Sequence, residues 1–459
     1  MYLGKMFRVA SLGLLVLLLA ATMLAGNACA PAEEEGVTIT IVNMEGWPVT
    51  APLWDKIDEF TAETGIHVRR AEFPFSELKA KQLLELSGAT GSYDVVLGSE
   101  TMCPAFFSYL MPLNDLIAED YGSVEAWKAD QIDSNLPFIM SDGDILVSPL
   151  ITSCGWLIYR AELFEDPAEQ SAFKAEYGYE LKPPETEAEL IDIAQFFTRD
   201  TDGDGHIDLW GYLVPGKWDH GGCVFENQLA GAGIIPPYYD DNFDIQFAKP
   251  QYRDTAIAIA QFDQDLIHKY EVMPLSVVDY QMAELSELWL KGMGAMSMTF
   301  WGEYWIEFNK PVNVAKIGET KCILPPTPIM RSPQGAMFPG GPWSWGIPKD
   351  SEHPEAAWKF IDWTVREDIH LYKLSKSVHV PPKWSIAEAG VEAGYIPEGY
   401  AEACAKLVVQ EPIIGEFPGL RDVIRENHEK LLAGDITAEE FVDQSAAEME
   451  ALLEEWGYR

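Results

Sequence analysis

The sequence predicts an α/β protein folded as two bodies, with the chain passing more than once from one body to the other. Three observations predict it. The chain has 459 residues, which is too long for one ordinary core and suits two units of roughly 150–250 residues. The first hundred residues read strand, helix, strand, helix, strand. The run Val147–Phe164 is apolar and β-rich, is interrupted by Pro149 and Gly155, and carries no acidic residue from Val147 to Ala161, although the chain holds 73 acidic residues. Such a run suits a segment crossing between packed bodies, with Thr152, Ser153 and Trp156 facing the gap; a buried core strand is the other reading of the same run.

Each element follows from local pattern. Val37–Val42 alternates Val, Thr, Ile and reads as a strand, and Met44–Pro48 is a loop by its Gly and Pro. Leu53, Ile57 and Phe60 recur at helical spacing, with Gly65 placed where a helix should stop. Ile66–Ala71 is a strand, Leu78–Leu86 a helix ended by Gly88–Gly91, and Tyr93–Leu97 a short strand opening into Gly98-Ser99-Glu100-Thr101. This order implies a mainly parallel sheet with helices on both faces. Ligands in such sheets bind at the carboxyl ends of strands, which places Glu45, Trp47, Ser99 and Glu100 near one edge. Further on, Thr186–Phe197 and Tyr252–Tyr270 are helices, and Leu288–Met298 runs from a helix end through Gly292 and Gly294 into a strand. Ile323–Pro333 is extended loop or edge. Phe338–Gly346 and Val378–Pro382 are second and third crossover candidates. Pro354–Val365 is a helix with Pro in its first turn, and the tail from Leu420 is helical, amphipathic and acidic.

Composition excludes several classes. Apolar residues make up 47% of the chain, normal for a folded protein. The net charge of −41 argues against nucleic acid and anionic membrane surfaces as partners. Residues 1–28 read as an export signal: Lys5 and Arg8 precede an apolar run from Val9 to about Ala25, shorter than a membrane span needs. Gly26-Asn27-Ala28-Cys29 resembles the lipobox of bacterial lipoproteins, with Gly26 in place of the usual aliphatic residue, and Cys29 as the lipidated residue. Ala28-Cys29-Ala30 also reads as an A-x-A cleavage site releasing a soluble protein. The charged 29–36 segment has the composition of a flexible tether and favours the lipoprotein. Five further cysteines (Cys103, Cys154, Cys223, Cys322, Cys404) form no C-x-x-C pair, so a zinc or redox motif is not indicated.

The ordered segments resemble one family. Phe60-Thr61-Ala62-Glu63-Thr64-Gly65-Ile66-His67-Val68 looks like F-x-x-x-T-G-I-x-V. Tyr93-Asp94-Val95-Val96 followed by Leu110-Met111-Pro112-Leu113-Asn114 looks like Y-D-V-V … L-x-P-L-D. Leu157-Ile158-Tyr159-Arg160 stands for L-x-Y-N, with Arg160 departing from the Asn. Pro183-Pro184-Glu185-Thr186, Gly292–Met296 and His353–Ile361 resemble P-P-x-T, G-x-x-A-M and x-P-E-A-A-W-x-F-I. Together they resemble the extracellular solute-binding proteins of bacterial ABC importers, the family that includes the maltose-binding type. The resemblance implies a two-lobed periplasmic-binding-protein-like fold with three crossovers and a ligand cleft, closing by a hinge as such proteins do. It implies one lobe of 37–150 with 340–378 and a second of 151–339 with 379–459. It also implies capture of a carbohydrate, with an oligosaccharide favoured, by a monomer with no enzymatic activity and no required cofactor. Delivery would be to ABC permease subunits, at the outer face of the cytoplasmic membrane through a lipid anchor or in the periplasm.

Sugars present flat C–H faces that aromatic rings cover and hydroxyl rims that carboxylates bind. The cleft candidates among 15 tryptophans and other aromatics are Trp47, Trp156, Trp218, Trp301, Tyr304, Trp343, Trp345 and Phe417. The polar partners are Glu45, Glu100, Asp219 and Glu303. Trp301–Tyr304 stands where the family places an aromatic contact. Trp54, Trp358 and Trp363 lie on helical faces and belong to the core. Asp200, Asp202, Asp204 and Asp208, with the His206 carbonyl, match the first nine positions of an EF-hand loop, but Gly211 stands where the bidentate Glu belongs. The loop reads either as a structural calcium site or as an Asx-rich turn. An exported glycosidase would need a spaced carboxylate pair, and no G-x-S-x-G, H-E-x-x-H or Walker-type loop is present. A cationic cargo such as a polyamine is the rival ligand class, through cation–π and ion pairing.

Overall fold

A computed structural model describes residues 36–99, 102–132, 135–141, 143–152, 156–217, 219–299, 307–323, 325–327, 342–377, 379–396, 414 and 417–459. Its strands are β1 (Thr38–Met44), β2 (His67–Phe73), β3 (Val96–Gly98), β4 (Met140–Ser141), β5 (Asp144–Ile145), β6 (Val147–Ile151), β7 (Trp156–Arg160), β8 (Trp210–Leu213), β9 (Gly294–Thr299), β10 (Thr320–Ile323) and β11 (Trp343–Gly346). β1 and β2 pair in parallel, and a parallel bridge from Ile41 to Val95 carries the pairing toward β3. β11 then lies antiparallel between β3 and β6. The mainly parallel sheet expected from sequence therefore ends in an antiparallel strand supplied from far along the chain.

Helices Ile57–Thr64, Phe75–Gly88 and Pro354–Thr364 clothe this sheet. The first stops at Gly65, whose φ of +73° suits glycine. The second is pinned by Gln82, which is fully buried. Its amide donates to the Leu97 carbonyl at 2.8 Å and accepts from the Leu97 N–H at 2.8 Å. A buried strand end is satisfied in this way without another strand. Phe60, Trp345, Phe360 and Trp363 meet in one core.

β6 and β7 follow one another directly but belong to different sheets. β7 sits between β10 and β9, and β9 pairs in parallel with β8. The chain thus leaves the first sheet after Ile151 and enters the second at Trp156. Helix Glu187–Phe197, capped by the Thr186 hydroxyl, packs on the second sheet around Leu190, Ile193 and Phe197. A third buried cluster is helical. Helices Asp219–Gly231, Arg253–His268, Phe417–Ala433 and Ala438–Glu455 enclose Phe225, Tyr238, Tyr239, Phe441 and Met449.

One expected boundary is corrected. Residues 379–396 fall with the first body rather than the second. The Pro382 carbonyl accepts from Ile132 N–H, Trp384 N–H donates to Asp130, and Val380 exchanges hydrogen bonds with Thr152. Pro381-Pro382 lacks N–H donors, but the Pro382 carbonyl still pairs, so what reads as a linker is an edge contact. Among the described residues no helix is long and apolar enough to cross a membrane.

Candidate functional site

The registers bring one set of residues to one rim. β1 and β2 end at Met44 and Phe73, β3 ends at Gly98, and the antiparallel β11 begins there with Trp343 opposite Ile151. Glu45, Trp47, Ser99, Thr152 and Trp343 therefore share the carboxyl-end rim that strand direction predicts. A turn holds Trp47: its N–H donates to the Met44 carbonyl, and its own carbonyl accepts from Thr50 and Ala51. The Thr50 hydroxyl donates to the Asn43 amide oxygen at 2.9 Å. Gly98 admits the close turn into Ser99, since a Cβ there would lie 2.8 Å from the Cys103 sulfur.

Trp47 and Trp343 meet with ring centroids 4.8 Å apart and planes tilted by 48°. Phe75, 41% exposed, lies with its ring centroid 6.2 Å from that of Trp343. Glu45 is exposed next to Trp47. Trp47 is itself buried, so the rings open to a ligand are half-buried Trp343 and exposed Phe75, with the Glu45 carboxylate on their margin; such rings suit an apolar ligand face. Phe75 was missed by sequence reasoning. Its signal was an aromatic residue directly after Pro74, at the end of a strand where the helix begins.

The second body presents the matching end. Trp156 opens β7 opposite Thr299, the end of β9, and β8 leads through Val214–Gly216 into helix Asp219–Gly231. Trp156 is 2% exposed and Thr152 is fully buried, its hydroxyl hydrogen-bonded to the Asn135 amide oxygen. Glu100, Ser153, Trp218, Trp301, Glu303 and Tyr304 lie outside the described residues, as does Cys29; Asp219 begins its helix, with its side chain outside the description.

Two candidates are corrected. Trp345 is fully buried in the first core against Phe360. A register shift between Trp343 and Ser344 separates it from Trp343 despite their i, i+2 spacing. Phe417 is 5% exposed in the helical core, beside Tyr238 and Tyr239 and beneath the Arg421 guanidinium. Trp358 and Trp363 are buried as expected, and Trp54 is partly buried against Phe360.

The acidic loop closes on itself. Asp200 accepts from the N–H groups of Gly203 at 2.6 Å and Gly205 at 2.8 Å, and these bonds hold its carboxyl below the usual range. Asp208 is held down likewise by the hydroxyl and N–H of Thr201. Asp204 accepts from His206 N–H. Carboxylate oxygens of Asp200, Asp202 and Asp208 lie within 4.8 Å of one another, so three of the five expected ligands converge. Gly211 lies in β8, where a Cβ would meet the Ala194 carbonyl oxygen at 1.8 Å, so the twelfth EF-hand ligand has no place there. Three converging carboxylates fit part of a calcium shell, which takes six to eight oxygens.

The chain passes from the rim of the first body, at Thr152, to the strand ends of the second, at Trp156. The model of the bacterial extracellular solute-binding protein family matches residues 46–369, and the chain belongs to that family. Among similar solved structures is maltose-bound MalE3 of T. maritima, with 21% identity and a TM-score of 0.72, covering 91% of this chain and 100% of that one. A Thermotoga lettingae ABC transporter solute-binding protein bound with alpha-D-tagatose has 21% identity and a TM-score of 0.70, covering 91% and 100%. One from Agrobacterium vitis with bound D-mannitol has 19% identity and a TM-score of 0.68, covering 92% and 99%.

Proposed function

We propose that the protein captures a carbohydrate outside the cytoplasmic membrane and delivers it to the permease of an ABC importer. The observation that carries this reading is the aromatic group on the rim beside the crossing, in which half-buried Trp343 and exposed Phe75 lie over buried Trp47. The ligands named for the similar solved structures, maltose, tagatose and mannitol, support the same class. The bound solute is held without covalent chemistry, and differential affinity for the closed form drives closure. An oligosaccharide is the favoured carbohydrate. Cys29 anchors the chain by lipid, residues 29–36 form the tether, and the protein acts as a monomer. Calcium, where bound by Asp200, Asp202 and Asp208, is structural. A cationic solute is the second reading, favoured by the net charge of −41 and by Glu45 beside Trp47.

A thermal-shift panel of mono- and oligosaccharides, polyols, polyamines and amino acids, with and without calcium, tests this. A ligand at about 100 times its Kd adds roughly 2.7 kcal/mol. Stabilisation by one sugar class supports the proposal, and stabilisation by polyamines alone replaces the cargo. Trp343→Ala is expected to weaken sugar binding by about 1–3 kcal/mol, the scale of one buried aromatic contact. Unchanged affinity removes Trp343 from the site.

A further inference from the structure

A late helix of the first body carries a group of buried bases. His370, Lys373 and Ser377 follow one another at i, i+3 and i+7 and so share one face of helix Glu367–Leu374 and its extension. His370 and Lys373 are fully buried, and Ser377 and His379 nearly so. The two imidazoles meet Nε2 to Nε2 at 3.0 Å, a separation that requires a proton between them. The Lys373 ammonium nitrogen and the Ser377 hydroxyl have no hydrogen-bond partner among the described residues. Burial alone acts on Lys373, pushing it well below an ordinary lysine, with no carboxylate to oppose it. Lys373 in turn adds to the burial that lowers both histidines.

The carboxylates nearby are engaged elsewhere. Asp362 accepts from the Tyr121 hydroxyl, which accepts from Lys383 at 2.9 Å. Asp130 accepts from the Ser385 N–H and hydroxyl at 2.9 and 2.8 Å. Both oppose the burial of Lys383, and Lys383 adds its own repulsion to His370. Among the described residues the bases therefore face one another, the backbone of Thr364 and Ser377, a hydroxyl and Lys383, and no negative charge acts on Lys373. A buried ammonium without a counter-charge is unfavourable unless it loses its proton or gains an anion.

The position is mechanical as well as electrostatic. His379 precedes Val380, whose N–H and carbonyl pair with Thr152, the last described residue before the chain enters the second sheet. Asn135, bonded to the Thr152 hydroxyl, is also fully buried, and its amide nitrogen has no partner among the described residues. We propose that Lys373, Ser377 and the His370–His379 pair form a buried site for a monoanion, filled by chloride or by the carboxylate of a bound solute, beside the crossing between bodies. An anion there holds the segment that pairs with Thr152 and so links anion binding to the stability of the crossing. The inference does not depend on the cargo being a carbohydrate.

The test uses the mature chain in methanesulfonate buffer at fixed ionic strength. Replacing methanesulfonate by chloride should raise the Tm of the wild type in a saturable manner and leave Lys373→Met unmoved. A response to glucuronate, but not to chloride or glucose, that Lys373→Met abolishes assigns the site to a solute carboxylate. Equal responses of wild type and variant, or no response to either anion, overturn the site. Wild-type crystals soaked in bromide give an answer that does not need the variant to fold. An anomalous peak within hydrogen-bonding reach of Lys373 Nζ supports the site; bromide confined to the surface, together with indifference to glucuronate, overturns it. Stabilisation by a neutral sugar without any anion effect would leave the cargo proposal standing and remove this one.

Discussion

Glu226 and Lys373 are both fully buried ionisable groups, one in the helical layer and one beside the crossing. Glu226 is met by Arg421, whose Nη2 and Nε lie 2.8 and 2.9 Å from its carboxylate. Nearby, Asp263 accepts from the Gln228 amide at 2.5 Å and faces His428 Nε2 at 3.0 Å, lining a small cavity with Tyr212 and Met273. The helical layer therefore closes its charges with partners contributed by helices far apart in sequence. Among the described residues the group around Lys373 gathers bases and a hydroxyl, without a carboxylate. The first arrangement is completed by folding itself, whereas the second is completed by proton loss or by an anion from outside.

The largest expected effect tests the closed cluster. Glu226→Ala removes the carboxylate facing the partly buried Arg421, and urea unfolding should show a loss of about 3–5 kcal/mol. A loss under about 1 kcal/mol, the size of an exposed pair, would mean that water reaches Arg421 and would erase the contrast. Asp263→Asn keeps the shape and removes the charge between Gln228 and His428. A loss of about 2 kcal/mol is expected by the same measurement, the scale of hydrogen bonds to a charged group.

The open cluster should be read by pH in halide-free buffer. Burial holds His370 and His379 below the ordinary histidine range. As pH falls through about 6.5, the unfolded chain takes up these protons first, so stability is lost toward acid by at most about 1.4 kcal/mol per pH unit for each group. His379→Gln should flatten the Tm profile between about pH 6.5 and 5, and an unchanged slope would assign the acid sensitivity to other groups. The smallest effect is expected at Lys373 itself. Its depressed pKa means that the unfolded chain binds the proton more tightly at neutral pH, so Lys373→Met without halide should change stability by about 1 kcal/mol or less, or raise it. A loss of several kcal/mol would show that Lys373 is paired after all.

The rim was legible because strand direction is legible. Alternation marked β1, a short apolar run marked β3, and the carboxyl-end rule then placed Glu45, Trp47 and Ser99 together before any contact was known. Val147–Phe164 was legible as a crossing through its breaks and its lack of acid. Trp345 was not separable from Trp343, because a shift of register leaves no mark on composition. Phe417 misled because a Gly-rich approach to an aromatic residue reads as a loop, whereas Tyr238 and Tyr239 close over it. Val378–Pro382 misled because prolines mark a break in helix or strand without saying which body their carbonyls pair with.

The sequence by itself determined the periodicities, the turns, the ordered family motifs and the net charge of −41, since each depends on residues close in the chain or on simple sums. Only the tertiary structure decided which charges are closed. The pairing of Glu226 with Arg421, of Asp263 with His428, and the gathering of His370, Lys373 and His379 with no carboxylate among the described residues depend on how separate segments pack. Whether a buried charge is stable is set by groups within a few ångströms in space, and sequence distance carries almost none of that information.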